Sequence, residues 1–406
     1  MTPEPAALGT EQGRKQLLDR YLDTLIHNVA PFWLQHGIDR EHGGLLSALG
    51  RGGELLDSDK AIWIQGRAAW MFATLHRTLP PQPEWLAAAV SCQSFLRQHG
   101  QREDGKYWFT VTREGQPLRM RRYVYSEAFA AMAHAAMFAI TGDTEDRDAA
   151  CAAFETFVSW SFKEGVMPAK VEPATRPMQA LGPHMIAIGV AQELRALIGD
   201  VTIGGRKCTG WIDASLATIE NDFWHPEHAA LLEVCGPGGE VLDHFDGRTL
   251  NPGHALECAW FVLHESRLRN SKEMQTLGLS ILDAMWQRGW DTEHGGLFYF
   301  RDLRGLPVQE YWHDMKFWWP HNEAEIATLL AYRLTNEPRY AEWHQQVHEW
   351  SFDHFADSEH PEWFGYLHRD GRISSDLKGN HWKGPFHLPR MLWYCARELE
   401  QWSTTS

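Results

Sequence analysis

Four histidines in this chain of 406 residues lie beside prolines at nearly even spacing. His184 follows Pro183, His254 ends Asn251-Pro252-Gly253-His254, His321 follows Pro320, and His387 stands two residues before Pro389. They are 70, 67 and 66 residues apart. Proline with a capping Asn marks helix starts, and Leu388 before Pro389 is biased toward extended geometry. A helix N-terminus disfavours the imidazolium, so a histidine there stays neutral and can act as a base. Histidines at equivalent points of a repeat would meet at one mouth of a barrel, where a pocket belongs.

Other reactive side chains fall in the same register. Trp63, Arg67 and Trp70 in KAIWIQGRAAWMF share one helix face, presenting an always-charged fork on an aromatic stripe. Such an Arg either pairs with a buried carboxylate or points at a substrate oxygen. RRYVYSEAF places Tyr125, Glu127 and Phe129 at the matching start in the second repeat. Glu257 lies one turn after His254 and can touch the same ligand, whereas Glu323 follows His321 by two and does not stack on it. Trp318-Trp319 and Trp382 stand near the expected mouth, where flat indole faces suit the C–H faces of a sugar ring. His-x-x-Glu can also ligate a metal, but no second such pair or HExxH supports one, and no metal is expected.

These residues need a scaffold that repeats. DREHGGLL at 39–46 returns as DTEHGGLF at 291–298, each followed by a short strand-like run and a Gly turn. Similar strings occur at 104–118, 228–242 and 362–374, with a poorer copy, SFKEGVMPAKVEP, at 161–173. The anchors define six units of about 65 residues, with amphipathic helices between them. Six helical pairs wound in a ring make an all-α (α/α)6 barrel with short β-hairpins at one rim. A linear solenoid also satisfies a helical-pair repeat. No Pro/Gly/Ser-rich linker interrupts the pattern, so residues 13–402 are read as one catalytic domain after a flexible tail at 1–12.

Composition narrows the partners. With 38 Lys and Arg against 53 Asp and Glu, the formal charge of −15 argues against nucleic acid and anionic membranes. No stretch is long and apolar enough to span a bilayer. The opening has no apolar core of a secretory signal. Six cysteines without metal or disulfide spacing read as reduced thiols of a cytoplasmic enzyme. No GxGxxG or P-loop string calls for a nucleotide, and no cofactor is expected.

KAIWIQGRAAWMF, NPGHALECAWF, GWDTEHGGLFYF, MKFWWPHNEAEIA, EWFGYLHRDG and WKGPFHLPR resemble, in order, the N-acylglucosamine 2-epimerase family. The resemblance runs from about residue 15 to 400. It implies an (α/α)6 barrel acting on a small sugar as a homodimer, in a family of which some members are activated by ATP at a separate site. It also implies that His254 and His387 are the catalytic pair and Arg67 the active-site arginine. Glu257, Trp319, Trp382 and Arg390 resemble the family's sugar-contacting set. Tyr125, His184, His321 and Glu323 are expected to complete the substrate site. Two positions depart from the pattern. Pro385 stands where characterised acylglucosamine epimerases often carry Cys, and His184 is more like the cellobiose and isomerase branches.

The implied reaction interconverts N-acetylglucosamine and N-acetylmannosamine. Epimerisation at C2 removes a proton acidified by the C1 aldehyde and returns one to the opposite face through a cis-enediolate. Two histidines, with unperturbed pKa of about 6.5, suit the task. Arg67 would stabilise charge on O1, and Glu257 would orient His254 or assist ring opening. The rivals are a mannose isomerase or 2-epimerase of unmodified aldoses, a glycoside hydrolase using Glu257 and Glu323, and a non-catalytic binding protein.

Overall fold

The computed structural model describes residues 6–120, 124–168 and 171–403. Twelve long helices among them alternate between an inner and an outer layer. The inner layer comprises α2 (Ile62–Thr78), α4 (Tyr125–Thr141), α6 (Leu181–Ile198), α8 (Pro252–Arg269), α10 (Trp318–Thr335) and α12 (His387–Ser403). The outer layer comprises α1 (Glu11–Thr24), α3 (Pro83–Phe95), α5 (Thr144–Phe162), α7 (Cys208–Thr218), α9 (Lys272–Gly289) and α11 (Pro338–His354). Each inner helix packs on the next, and α12 returns to α2, so the solenoid alternative is excluded and the ring closes. The outer partner of α12 is α1, the first helix in the chain.

Local sequence explains the helical pairs. Inner helices leave the ring through left-handed residues, Gly142 (φ 71°), Asn270 (φ 51°) and Asn336 (φ 56°), which Gly and Asn tolerate. Asp143 and Ser271 then cap α5 and α9 through their side chains. Inner helices are buried nearly all round. Gly66 is required on α2 because a Cβ there would lie 2.6 Å from the Phe129 carbonyl oxygen of α4.

Short strands form the rim at the inner helices' N-termini, as expected. The strand before an inner helix pairs with the hairpin of the following unit: Lys60–Ala61 with Thr110–Val111, Thr249–Leu250 with Arg301–Asp302, and Lys316–Phe317 with Tyr366–Leu367. A bridge from Leu49 to Gly379 repeats the arrangement across the closure. The weak copy at 161–173 lies partly outside the described residues, and no strand is assigned to its described part. The tail expected at 1–12 overlaps residues that the structure places in the fold. Residues 1–5 lie outside the described residues, Leu8 is buried, and Thr10 caps α1.

The repeated acidic strings are explained by ion-paired staples between neighbouring units. Asp39 binds the buried Lys60 at 2.9 Å and takes Arg113 of the next hairpin in two bonds of 2.9 Å. Asp291 does the same with Lys316 and Arg369, and Asp357 with Lys378 and Arg51. The last staple joins the sixth unit back to the first. Burial opposes the charge on Asp39, but the hydrogen bonds from Arg113 and Lys60 hold its carboxyl well below the usual range. Asp39→Ala strands a buried lysine and is expected to cost about 3–5 kcal/mol, read from the urea midpoint. Because the folded carboxyl is depressed, this stabilisation is present above the unfolded value of about 4 and fades as pH falls below it.

Candidate active site

A cavity of about 1120 Å³ runs along the barrel axis from the strand rim to Arg77 and Leu268 near the inner helices' far ends. His254, His387, Arg67, Glu257, Tyr125, Trp319, Trp382 and Arg390 all line it. Eight of the eleven expected site residues are thus brought together.

His387 opens α12, and its Nδ1 lies 2.7 Å from Glu323 Oε1. A carboxylate only accepts, so Nδ1 carries the proton and Nε2 is left as a bare lone pair. Burial, with the Arg67 and Arg390 guanidiniums beside it, pushes the imidazole well below its ordinary value. His387 is therefore neutral, the state of a base.

His254 is in the opposite condition. Its Nδ1 lies 2.9 Å from Glu233 Oε1, and its side chain is 32% exposed to the cavity. Burial would lower its pKa, but the Glu233 carboxylate, with Glu257 and Glu323 behind it, raises the pKa overall. The helix N-terminus was expected to keep this histidine neutral; the nearby anions outweigh it. Trp319 makes ring contacts with both histidines, with centroids 5.1 Å from His254 and 5.7 Å from His387. One site thus holds an acid and a base of the same residue type, separated by environment.

Arg67 is stacked among Trp63, Phe129 and Phe386, its carbon 4.3, 4.1 and 4.6 Å from the ring centres. It makes no ion pair among the described residues, and its buried Nε has no hydrogen-bond partner. The alternative of a carboxylate-paired core arginine is not what the structure shows. Burial lowers its pKa to about 9, which leaves it charged at neutral pH.

Arg390 bridges the two carboxylates, with Nη2 2.7 Å from Glu257 and 2.6 Å from Glu323. Glu323 is fully buried, does not line the cavity, and also takes Trp260 Nε1 at 2.7 Å. The substrate contact expected of Glu323 is corrected: it holds His387 and Arg390. A glycosidase needs two carboxyls flanking the bond to be cut, whereas Glu257 and Glu323 share one guanidinium and only Glu257 reaches the cavity. Glu257 turns to Arg390 for its hydrogen bond, so orientation of His254 falls to Glu233, which the sequence did not single out.

His184 and His321 do not line the cavity. His321 is fully buried, with Nδ1 donating to the Phe317 carbonyl and Nε2 accepting the Leu297 N–H at 2.8 Å. Gln65 and Glu127 do the same for the Leu45 and Tyr107 N–H groups. His184 occupies the corresponding place on α6, packed against Phe162 and Phe223. His184 and His321 are the fourth residues of their helices, whereas His254 is the third of α8 and His387 the first of α12. Each residue turns a helix by roughly 100°, enough to move a side chain from the cavity to the hairpin side. The cavity histidines have charged residues three positions on, Glu257 and Arg390; His184 and His321 have alanines there.

Glu233→Gln keeps the hydrogen bond but removes the anion that raises His254. The alkaline limb of kcat/KM in the direction that uses His254 as acid is expected to move to lower pH. An unmoved limb in a folded Gln variant would show that Glu233 does not tune the histidine.

The ring and its two histidines, pushed to pKa values on opposite sides of the ordinary one, define an acid–base enzyme built inside an (α/α)6 barrel. A solved cellobiose 2-epimerase from Bacillus thermoamylovorans shares this fold, with a TM-score of 0.82 and 18% identity over 95% of this chain and all of that one. The profile of N-acylglucosamine 2-epimerase matches residues 43–387. Two relatives, both N-acylglucosamine 2-epimerases, are 36% identical in Bos taurus and 34% in Homo sapiens. They cover 92% and 96% of this chain and 89% and 91% of their own. The chain belongs to the N-acylglucosamine 2-epimerase family and is a sugar 2-epimerase, an isomerase.

Proposed function

We propose that the enzyme interconverts N-acetylglucosamine and N-acetylmannosamine, with His387 and His254 working on opposite faces of C2. The observation that carries this reading is the pair of cavity histidines whose pKa values are pushed in opposite directions; the mammalian relatives support the acetamido substrate. In the open-chain sugar, neutral His387 takes the C2 proton through Nε2. The electron pair moves into C1–C2 and charge gathers on O1, where the otherwise unpaired Arg67 is available to meet it. The imidazolium of His254 then delivers its proton to the other face of C2. The reverse direction starts from the complementary protonation state. Trp319 and Trp382 offer apolar faces to the sugar, and Tyr125 lines the same cavity.

Turnover in D2O tests this. The product is expected to acquire deuterium at C2 in the first turnovers, while unconverted substrate retains hydrogen. N-acetylglucosamine that gives no N-acetylmannosamine, with exchange confined to mannose, glucose or cellobiose, would overturn the substrate assignment. A 2-epimerase of unmodified or glycosylated aldoses is the second reading, favoured by a cavity of about 1120 Å³, more than one sugar ring fills.

The reading includes a cytoplasmic homodimer. Six free cysteines support the compartment, and the resemblance to the family supports the dimer. No described helix is long and apolar enough to cross a membrane.

A further inference from the structure

Tyr21 of α1, Glu325 of α10, and His344 and His348 of α11 meet in a buried cluster whose members do not line the cavity. The Tyr21 oxygen is 3.0 Å from Glu325 Oε2, 3.0 Å from His344 Nε2 and 3.2 Å from His348 Nδ1. His348 Nδ1 is 3.1 Å from the same Glu325 oxygen. The two histidines are one turn apart on α11 and share a face.

Protons do not suffice for these contacts. His344 Nδ1 faces the Glu325 carbonyl at 3.1 Å and the Thr328 hydroxyl at 3.2 Å, and that hydroxyl donates to the Ala324 carbonyl. Nδ1 must therefore carry the hydrogen of a neutral imidazole, leaving Nε2 a bare lone pair. Two protons, on Tyr21 and on His348 Nδ1, remain for four close contacts. Glu325 Oε1 is buried with no partner, and no Lys or Arg among the described residues pairs with this carboxylate. The contrast is the cluster of Glu257, Glu323 and His387, where the Arg390 guanidinium supplies the cation.

We propose that Tyr21, Glu325, His344 and His348 form a buried four-ligand zinc site that ties α1 to α10 and α11. Zinc bonds to N and O of about 2.0–2.1 Å imply a tetrahedron with edges of about 3.3–3.4 Å, close to the four separations of 3.0–3.2 Å that link these atoms. On binding, the Tyr21 O–H bond breaks, its proton leaves to solvent, and a Zn–O bond forms. Zn²⁺ with one carboxylate and one phenolate then leaves no net charge in the interior.

The test is metal analysis of the purified full chain, refolded with zinc or with chelator and then dialysed. About one zinc per chain is expected to be retained, with a lower Tm after chelation. Cobalt in its place should give the intense visible bands of a tetrahedral site without a thiolate band. Tyr21→Phe, which removes one oxygen, should bind at least tenfold more weakly, and so should His348→Gln. Arg67→Met, outside the cluster, should bind zinc as the natural chain does. Folded protein that retains less than a tenth of an equivalent overturns the proposal. So does Tyr21→Phe binding zinc as tightly as the natural chain, even where His348→Gln fails to fold.

Discussion

His387→Asn and His254→Asn are each expected to lose about 10²–10⁴-fold in epimerisation, yet to fail in different ways. His387 has its pKa pushed down beside Arg67 and Arg390, and His254 has its pKa raised by Glu233. A protein lacking His254 still has its base on one face. It should wash deuterium from D2O into C2 of one epimer without making the other. A protein lacking His387 should exchange only the opposite epimer, once His254 is deprotonated. The two half-reactions are read by NMR on each sugar separately. If either variant exchanges both epimers, or epimerises at more than a tenth of the original rate, two-base transfer is wrong. Circular dichroism and Tm should be little changed, since His254 is partly exposed and Asn at 387 can still donate to Glu323.

Arg67→Met is expected to lower kcat about 10²–10³-fold, the loss seen when one donor to a developing oxyanion is removed. The same substitution should leave stability unchanged or improve it. Arg67 sits among three aromatic rings with no carboxylate partner, so its charge is a cost in the folded state that methionine removes while filling similar space. Activity and stability should therefore move apart. A folded Met variant with activity within about threefold of the original would remove Arg67 from the chemistry. A loss above about 2 kcal/mol would return it to a structural role. Equal falls in kcat and kcat/KM would place its interaction in the transition state alone.

The fold was legible because the repeat is written in short strings that survive divergence. The Asp of DREHGGLL and DTEHGGLF is kept by a buried lysine and an arginine from the next unit, and the Gly pair by a turn with positive φ at both residues. The histidine pair and Arg67 were legible for a related reason, as each lies on a helix whose face can be counted. His184 and His321 fall outside the cavity because proline marks no fixed position at a helix start: Pro183 and Pro320 are third in their helices and Pro252 is first. Proline fits anywhere in the first turn, where N–H groups lack helical partners, and the helices begin at different distances from it. Glu233 left no signal at all. It reaches His254 from the loop between Leu231 and Val234, and only the closed ring puts them together. The burial of Glu323 likewise depends on Trp260 and Arg390 from neighbouring helices.

The pairing of α1 with α12 has a consequence for synthesis. Leu17, Tyr21 and Leu25 are buried in the closed ring, where α1 packs on α12 and Tyr21 reaches α10 and α11, although they emerge from the ribosome first. Translation at about 5–20 residues per second leaves this apolar face uncovered while more than 350 residues follow. The middle units can pack on their neighbours as they appear, but the ring itself closes after translation. Until then, α1 is the segment a chaperone would hold.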